Sequence, residues 1–187
     1  TKLAADGYHR RYPEIKLWHD VVWQTVLKKG QLKNPFGYRR VFLRACGHLA
    51  LQGILDDHDW NDAVSSIPQS IPPFIINQAI VRCMQALPWV WFHHQGHDSF
   101  LASVPIGRVI EADTFMEQAL RIEIPFDNGL KLVVPSEAQV GYTWGEMMPL
   151  VGVEPSEEQW KRWVMEESAV GRGRSSKSIL MGINGIL

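Results

Sequence analysis

One carboxylate in this chain stands where a carboxylate can do chemistry. Asp98 lies in Gly96-His97-Asp98-Ser99, between two strand-like runs, Trp89 to Gln95 and Phe100 to Val104. Trp, Val and Phe favour a pleated, half-buried surface, and Gly96 and Ser99 supply the turn. A hairpin tip holds such an aspartate on rigid scaffolding with its oxygens outward, as a divalent metal requires when it must also grip substrate phosphates. The plainer reading of the same residues is an acidic turn with no ligand. Two other groupings carry less. Asp56-Asp57-His58-Asp59 sits in a polar stretch, where adjacent acids are more often a solvated turn than a cation site. His93, His94 and His97 make a poor metal triad, because His93 and His94 are strand neighbours and point to opposite faces.

Charge is segregated along the chain that carries this hairpin. The net charge is −1 over 187 residues, yet residues 1–45 hold ten Lys and Arg against three acids, and residues 46–145 hold four against eleven. The first quarter, with His9-Arg10-Arg11, Lys28-Lys29, Lys33, Arg39-Arg40 and Arg44, therefore reads as a face for a polyanion rather than as ordinary solvated helix surface. Two distant cysteines, Cys46 and Cys83, show no framework spacing, and no secretory leader is recognised. No disulfide is expected, and a cytoplasmic location follows as an expectation, host cytoplasm if the chain is phage-encoded. Charge, proline or glycine interrupts every apolar run before it reaches the length of a membrane span, so no membrane partner is expected.

The elements that must position Asp98 can be read from pattern. Pro13 opens a predicted helix to about Lys29, with Ile15, Trp18, Val22 and Val26 on one stripe and Gly30 as its stop. Gln31 to Arg44 predicts a short hairpin turned at Asn34-Pro35-Phe36-Gly37. Leu49 to Asp62 is a partly apolar, ambiguous helix. Ser70 can cap a helix to about Leu87, its first turn tolerating Pro72 and Pro73, with Ile76, Ala79, Ile80, Cys83 and Leu87 inward. A further helix, about Gly107 to Ile122, turns Val109, Ala112, Met116, Ala119 and Leu120 inward, and Leu130 to Val134 and Ala138 to Val140 read as closing strands. Helix, hairpin, helix, strands in that order describe an α+β fold, an antiparallel sheet backed by helices. After Met147 come a capping box (Ser156 and Gln159) with a short helix to about Val170, a basic linker Gly171 to Ser178, and an apolar tail that must dock somewhere.

Five segments now stand in order: Tyr12-Pro13-Glu14, Asn34-Pro-Phe-Gly-Tyr-Arg-Arg-Val-Phe42, Ile67-Pro-Gln-Ser70, Gly96-His-Asp-Ser-Phe100 and Val140-Gly-Tyr-Thr-Trp144. Together they resemble the C-terminal part of family A DNA polymerases, the group of bacterial DNA polymerase I, and most of all its phage members. The resemblance covers about residues 8–146. It implies that residues 1–146 are the C-terminal fingers and palm part, with a palm-type sheet, and that residues 147–187 are a helical C-terminal extension. It further implies DNA-templated DNA synthesis in which Asp98 is a catalytic metal ligand and His97 reaches the primer strand. Gln69 would test the minor-groove edge of the new pair, Arg39 and Arg40 would hold the duplex backbone, and Lys33 and Ser65 would add nucleic-acid contacts. Nucleotide addition of this kind uses two Mg²⁺ ions about 3.5 to 4 Å apart. A Gln amide suits the minor-groove role because it can donate to acceptors that every base pair presents there.

Departures from the family pattern set further expectations. Ser99 stands where a second carboxylate commonly follows His-Asp. Asn61 and Ser65 stand where bacterial members carry Arg and Asn, and Pro72 and Pro73 are expected to move the regular helix start past Gln69. The family's first catalytic aspartate and its nucleotide-binding helix would lie upstream of Tyr12-Pro13. The expectation is therefore one subunit of a split polymerase, or a piece of a longer chain, acting on primer-template DNA and dNTPs with an N-terminal polymerase subunit or fragment that completes the Mg²⁺ site. The rival readings are a fragment of a single-subunit RNA polymerase and a non-catalytic nucleic-acid-binding module with a degenerate palm.

Overall fold

The structure, a computed structural model, describes residues 2–43, 57–141, 143–145, 147–150 and 178–185. It groups into two compact units, Thr1–Ile71 and Pro72–Leu187.

In the first unit α1 (Lys2–Arg11), which the sequence pattern does not announce, leads into α2 (Pro13–Lys29). Pro13 occupies the first helical turn, where its missing N–H costs nothing, and holds Tyr12 in a non-helical conformation. Gly30 ends α2 in the left-handed region at φ 62°, its N–H donating to Val26 O at 2.8 Å. The strands β1 (Gln31–Lys33) and β2 (Arg39–Val41) pair antiparallel, Leu32 opposite Arg40 and Lys33 opposite Arg39. Val22, Val26, Leu32, Phe42 and Ala63 form the core of this unit, with Trp18, Trp23 and Ile67 packed around it.

One helix differs from expectation. It does not start at Ser70: α3 runs unbroken over Asp57–Ala86, through Pro68, Pro72 and Pro73. Each interior proline removes a ladder bond at a cost of about 3 kcal/mol. Burial on both sides offsets part of this: Ala63 precedes the prolines and Ile75, Ile76, Ala79 and Cys83 follow, all buried, and a fully buried isoleucine is worth about 1.5–3 kcal/mol. The hydroxyls of Ser66 and Ser70 donate to the carbonyls of Ala63 and Ile67, both at 2.9 Å, so these serines bond into the helix backbone rather than cap a new helix. The division between the two units falls on the proline pair, after Ile71.

The second unit is built on an antiparallel five-stranded sheet in the order β3-β4-β9-β7-β8, where β3 is Trp91–Gln95, β4 Ser99–Pro105, β7 Ser136–Gly141, β8 Met148–Pro149 and β9 Ser178–Gly185. A 3₁₀ turn (Ile106–Arg108) leads from β4 into α4 (Val109–Leu120), which packs on β4 and β7 through the five residues expected, Val109, Ala112, Met116, Ala119 and Leu120, all buried. Phe100, Ala102 and Val104 alternate along β4 toward one face, and Met181 of β9 and Val140 of β7 continue that face across the sheet. The fold is α+β, an antiparallel sheet backed by helices, as the element order implies.

Two strands lie elsewhere than expected. Leu130 to Val134 does not join the main sheet; β6 (Lys131–Leu132) pairs only with β5 (Ile124–Pro125) in a small ribbon. The apolar tail, expected to dock somewhere, docks as β9 of the main sheet. Because β4 and β7 each run antiparallel to β9, they are parallel to each other, and the tail fills the slot between them. The helix and basic linker expected over residues 156–177 lie outside the described residues. Among the described residues no helix is long and apolar enough to cross a membrane.

Candidate functional site

The hairpin that carries Asp98 is closed by Gly96 N–H donating to Ser99 O at 2.7 Å, with Gln95 opposite Phe100. Gly96 lies close to the far side of the turn: a Cβ there would sit 2.6 Å from Ser99 Oγ, a rotatable hydroxyl that would have to turn aside, and 3.4 Å from Ser99 O. A bulge between Phe92 and His94 breaks the ladder of the edge strand β3, a common device beside functional turns. Phe92 and Phe100 meet edge to face at 5.3 Å and brace the base of the hairpin. At the tip His97 is exposed and Asp98 half-buried, and neither makes a hydrogen bond or ion pair among the described residues. His93 Nε2 bonds Ser103 Oγ at 2.6 Å, while His94 stacks at 5.3 Å against Trp144, tying the Val-Gly-x-x-Trp segment to this hairpin.

Asp98 is a hard oxygen donor of the kind Mg²⁺ takes, with no cation paired to it among the described residues. No group of three or more His, Cys, Asp or Glu side chains among those residues could hold a metal ion. The Asp56 to Asp59 cluster lies partly outside the described residues. Burial pushes the Cys83 thiol up to about 11, which keeps it protonated as a small core residue. Cys46 lies outside the described residues.

The remaining expected residues belong to the first unit. Asn34, buried to 4% exposure, organises the β1–β2 turn. Its Oδ1 accepts from the backbone N–H groups of Phe36 (3.0 Å) and Tyr38 (2.9 Å), and its Nδ2 donates to Ser70 Oγ at 3.0 Å. This bond fixes the turn beside the stretch of α3 that carries Gln69, which is exposed. Alternation along β2 then separates the two arginines. Arg40, on the Leu32 side, is held at 2.5 Å by Asp62 of α3, so its charge is largely compensated. Arg39 faces the other way with Lys33 directly opposite, both exposed and outside any ion pair among the described residues. Ser65 is half-buried and turned inward, its hydroxyl donating to Asp62 O at 3.4 Å.

A third feature escapes sequence reading. An open cavity of about 580 Å³ lies among α1, α2 and α3, lined by His9, Arg10, Lys16, His19, Asp20, Trp23 and Trp60. His19 and Trp23 are one helical turn apart on α2, a visible signal, but Trp60 joins them only through the fold.

The chain matches no protein-family model and no curated protein.

Proposed function

We propose that this chain takes part in DNA-templated DNA synthesis as the portion of a family A polymerase that carries one metal-binding aspartate, completed by a partner that supplies the first aspartate and the nucleotide-binding helix. The observation that carries the reading is Asp98, an unpaired, half-buried carboxylate fixed at a bulged hairpin tip beside an exposed imidazole. The order of the five sequence segments supports it, as does the Lys33–Arg39 pair. Like charges directly opposite in a ladder destabilise it, so an exposed cationic pair makes sense where phosphates neutralise it.

Each residue then has a task. Asp98 holds one ligand position on Mg²⁺, and Mg²⁺ when bound activates the primer hydroxyl and stabilises the leaving pyrophosphate. His97 contacts the primer strand near its terminus. Gln69 probes the minor groove of the new pair, and Arg39 with Lys33 grips the backbone of the duplex, whereas Arg40 mainly braces β2 against α3.

Primer extension tests this with the assembly purified from its native source, Mg²⁺ and four dNTPs. Asp98→Ala is expected to abolish extension, as is chelation of Mg²⁺. Because Asp98 makes no hydrogen bond or ion pair among the described residues, the variant should melt within about 0.5 kcal/mol of the parent. Robust synthesis by the Asp98→Ala assembly would refute the proposal. The binding-module reading draws on the lack, among the described residues, of any group of three or more His, Cys, Asp or Glu side chains that could hold a metal ion. It requires instead that the assembly bind primer-template and never extend it, and incorporation of rNTPs rather than dNTPs would mark the RNA polymerase relative.

A further inference from the structure

The cavity among the first three helices combines two chemistries that a nucleotide needs together. One wall is aromatic. His9 meets His19 at 6.0 Å, His19 meets Trp60 at 5.6 Å and Trp60 meets Trp23 at 5.2 Å, each edge to face, so four rings brace one another into a rigid surface. The rest of the lining is charged, two cations against one carboxylate: Arg10 and Lys16 stand with Asp20, and neither cation is in an ion pair among the described residues. A solvated helix face has no reason to line a concavity with two indoles, and a purely packed aromatic cluster would not leave about 580 Å³ open beside them.

We propose that this cavity binds an unpaired nucleotide of a single strand, its base against Trp23 and Trp60 and its phosphate held by Arg10 and Lys16. Aromatic platforms in a basic groove bind single strands in this way without sequence preference, because every base has a π-face. A strand is favoured over a free nucleotide because the cavity is open and the segment around it holds ten Lys and Arg against three acids, enough for neighbouring phosphates as well. Duplex DNA is disfavoured, since its bases are already stacked and cannot enter. The inference goes beyond the polymerase reading and stands on its own geometry.

The test is a fluorescence and anisotropy titration of the full chain with a labelled oligo-dT single strand, with dTMP and a duplex of equal length as competitors. Tryptophan quenching on binding is expected, with dTMP and duplex competing at least tenfold more weakly than unlabelled oligo-dT. Trp60→Ala is expected to weaken binding at least tenfold. Should that variant fail to fold by circular dichroism, Arg10→Gln with Lys16→Gln, which removes the two cations of the lining and leaves its rings in place, is expected to do the same. Lys28→Gln with Lys29→Gln, equal in charge change but remote from the cavity, is expected to cost less than threefold. Equal losses in the two charge pairs, or unchanged affinity in the folded cavity variants, would overturn the proposal. Displacement by dTMP as effective as by oligo-dT would overturn the assignment to a strand. No synthesis is measured, so a failed extension assay and a failed titration report on different claims.

Discussion

Lys33 and Arg39 are the residues at which stability and function should pull in opposite directions. They sit directly opposite each other in the β1–β2 ladder, exposed and uncompensated, while the neighbouring Arg40 is tied to Asp62. Replacing either by Gln removes like-charge repulsion and should stabilise the first unit by about 0.2–1 kcal/mol. The same change should weaken primer-template binding and lower the slope of log K against log salt by about 1. Denaturant melts and a salt series on one variant check both signs. Arg40→Gln should do the reverse, losing stability and changing the salt slope little. The sequence announces Arg39-Arg40 as a pair of equals. Only the register tells them apart, because period-two alternation turns one guanidinium to α3 and the other to solvent.

At the scale of elements, what was legible followed local rules, and what was not depended on distant partners. The limits of α2 rest on Pro13 and Gly30, and the inward face of α4 on a clean helical period, so both could be read from neighbours in sequence. The start of α3 could not. Three prolines signal a break, and only tertiary burial on both sides of them keeps the helix running. Helix α4 also carries a charge under strain. Burial, and secondarily the nearby Glu117, raise the Asp113 carboxyl above its ordinary range. The fold therefore favours the neutral acid: the contribution of Asp113 to stability is fully present below the unfolded-state value near about 3.9 and is lost as pH rises through the raised folded value. Asp113→Asn should accordingly stabilise the protein at neutral pH, with the advantage shrinking as pH falls below about 4. Thermal melts of the two proteins at both pH values check the sign. A larger advantage in acid would show that the carboxylate, not the acid, is the form the fold prefers.

For the whole molecule, the site depends on a segment far from it in sequence. The hairpin with Asp98 ends in β4, and the inner neighbour of β4 is β9, paired rung by rung from Ser99 opposite Asn184 to Pro105 opposite Ser178. On its other edge β9 holds β7, the strand that ends in Val140-Gly141, so the Asp98 hairpin and the Val140-Gly141 strand are joined through the tail. Sequence reading found the tail apolar but not its place, because a strand that fills a slot between two parallel strands has no local signal for where it docks. Met181 is fully buried at the centre of this joint, opposite both Ala102 and Val140. Met181→Ala should cost about 2–5 kcal/mol, where a residue in a solvated extension would cost under about 0.5 kcal/mol. The loss should also reach the hairpin: β4 amides should exchange hydrogen faster, and extension by the native assembly should fall although no group near Asp98 has changed. Gly182→Ala gives the graded counterpart, since its new Cβ would lie 3.1 Å from the Cε of Met147, a flexible tip that can move aside, and a small loss is expected. Denaturant unfolding with hydrogen exchange on the three proteins decides it. Parent-like β4 protection in Met181→Ala would mean that the tail is dispensable to the sheet that carries Asp98.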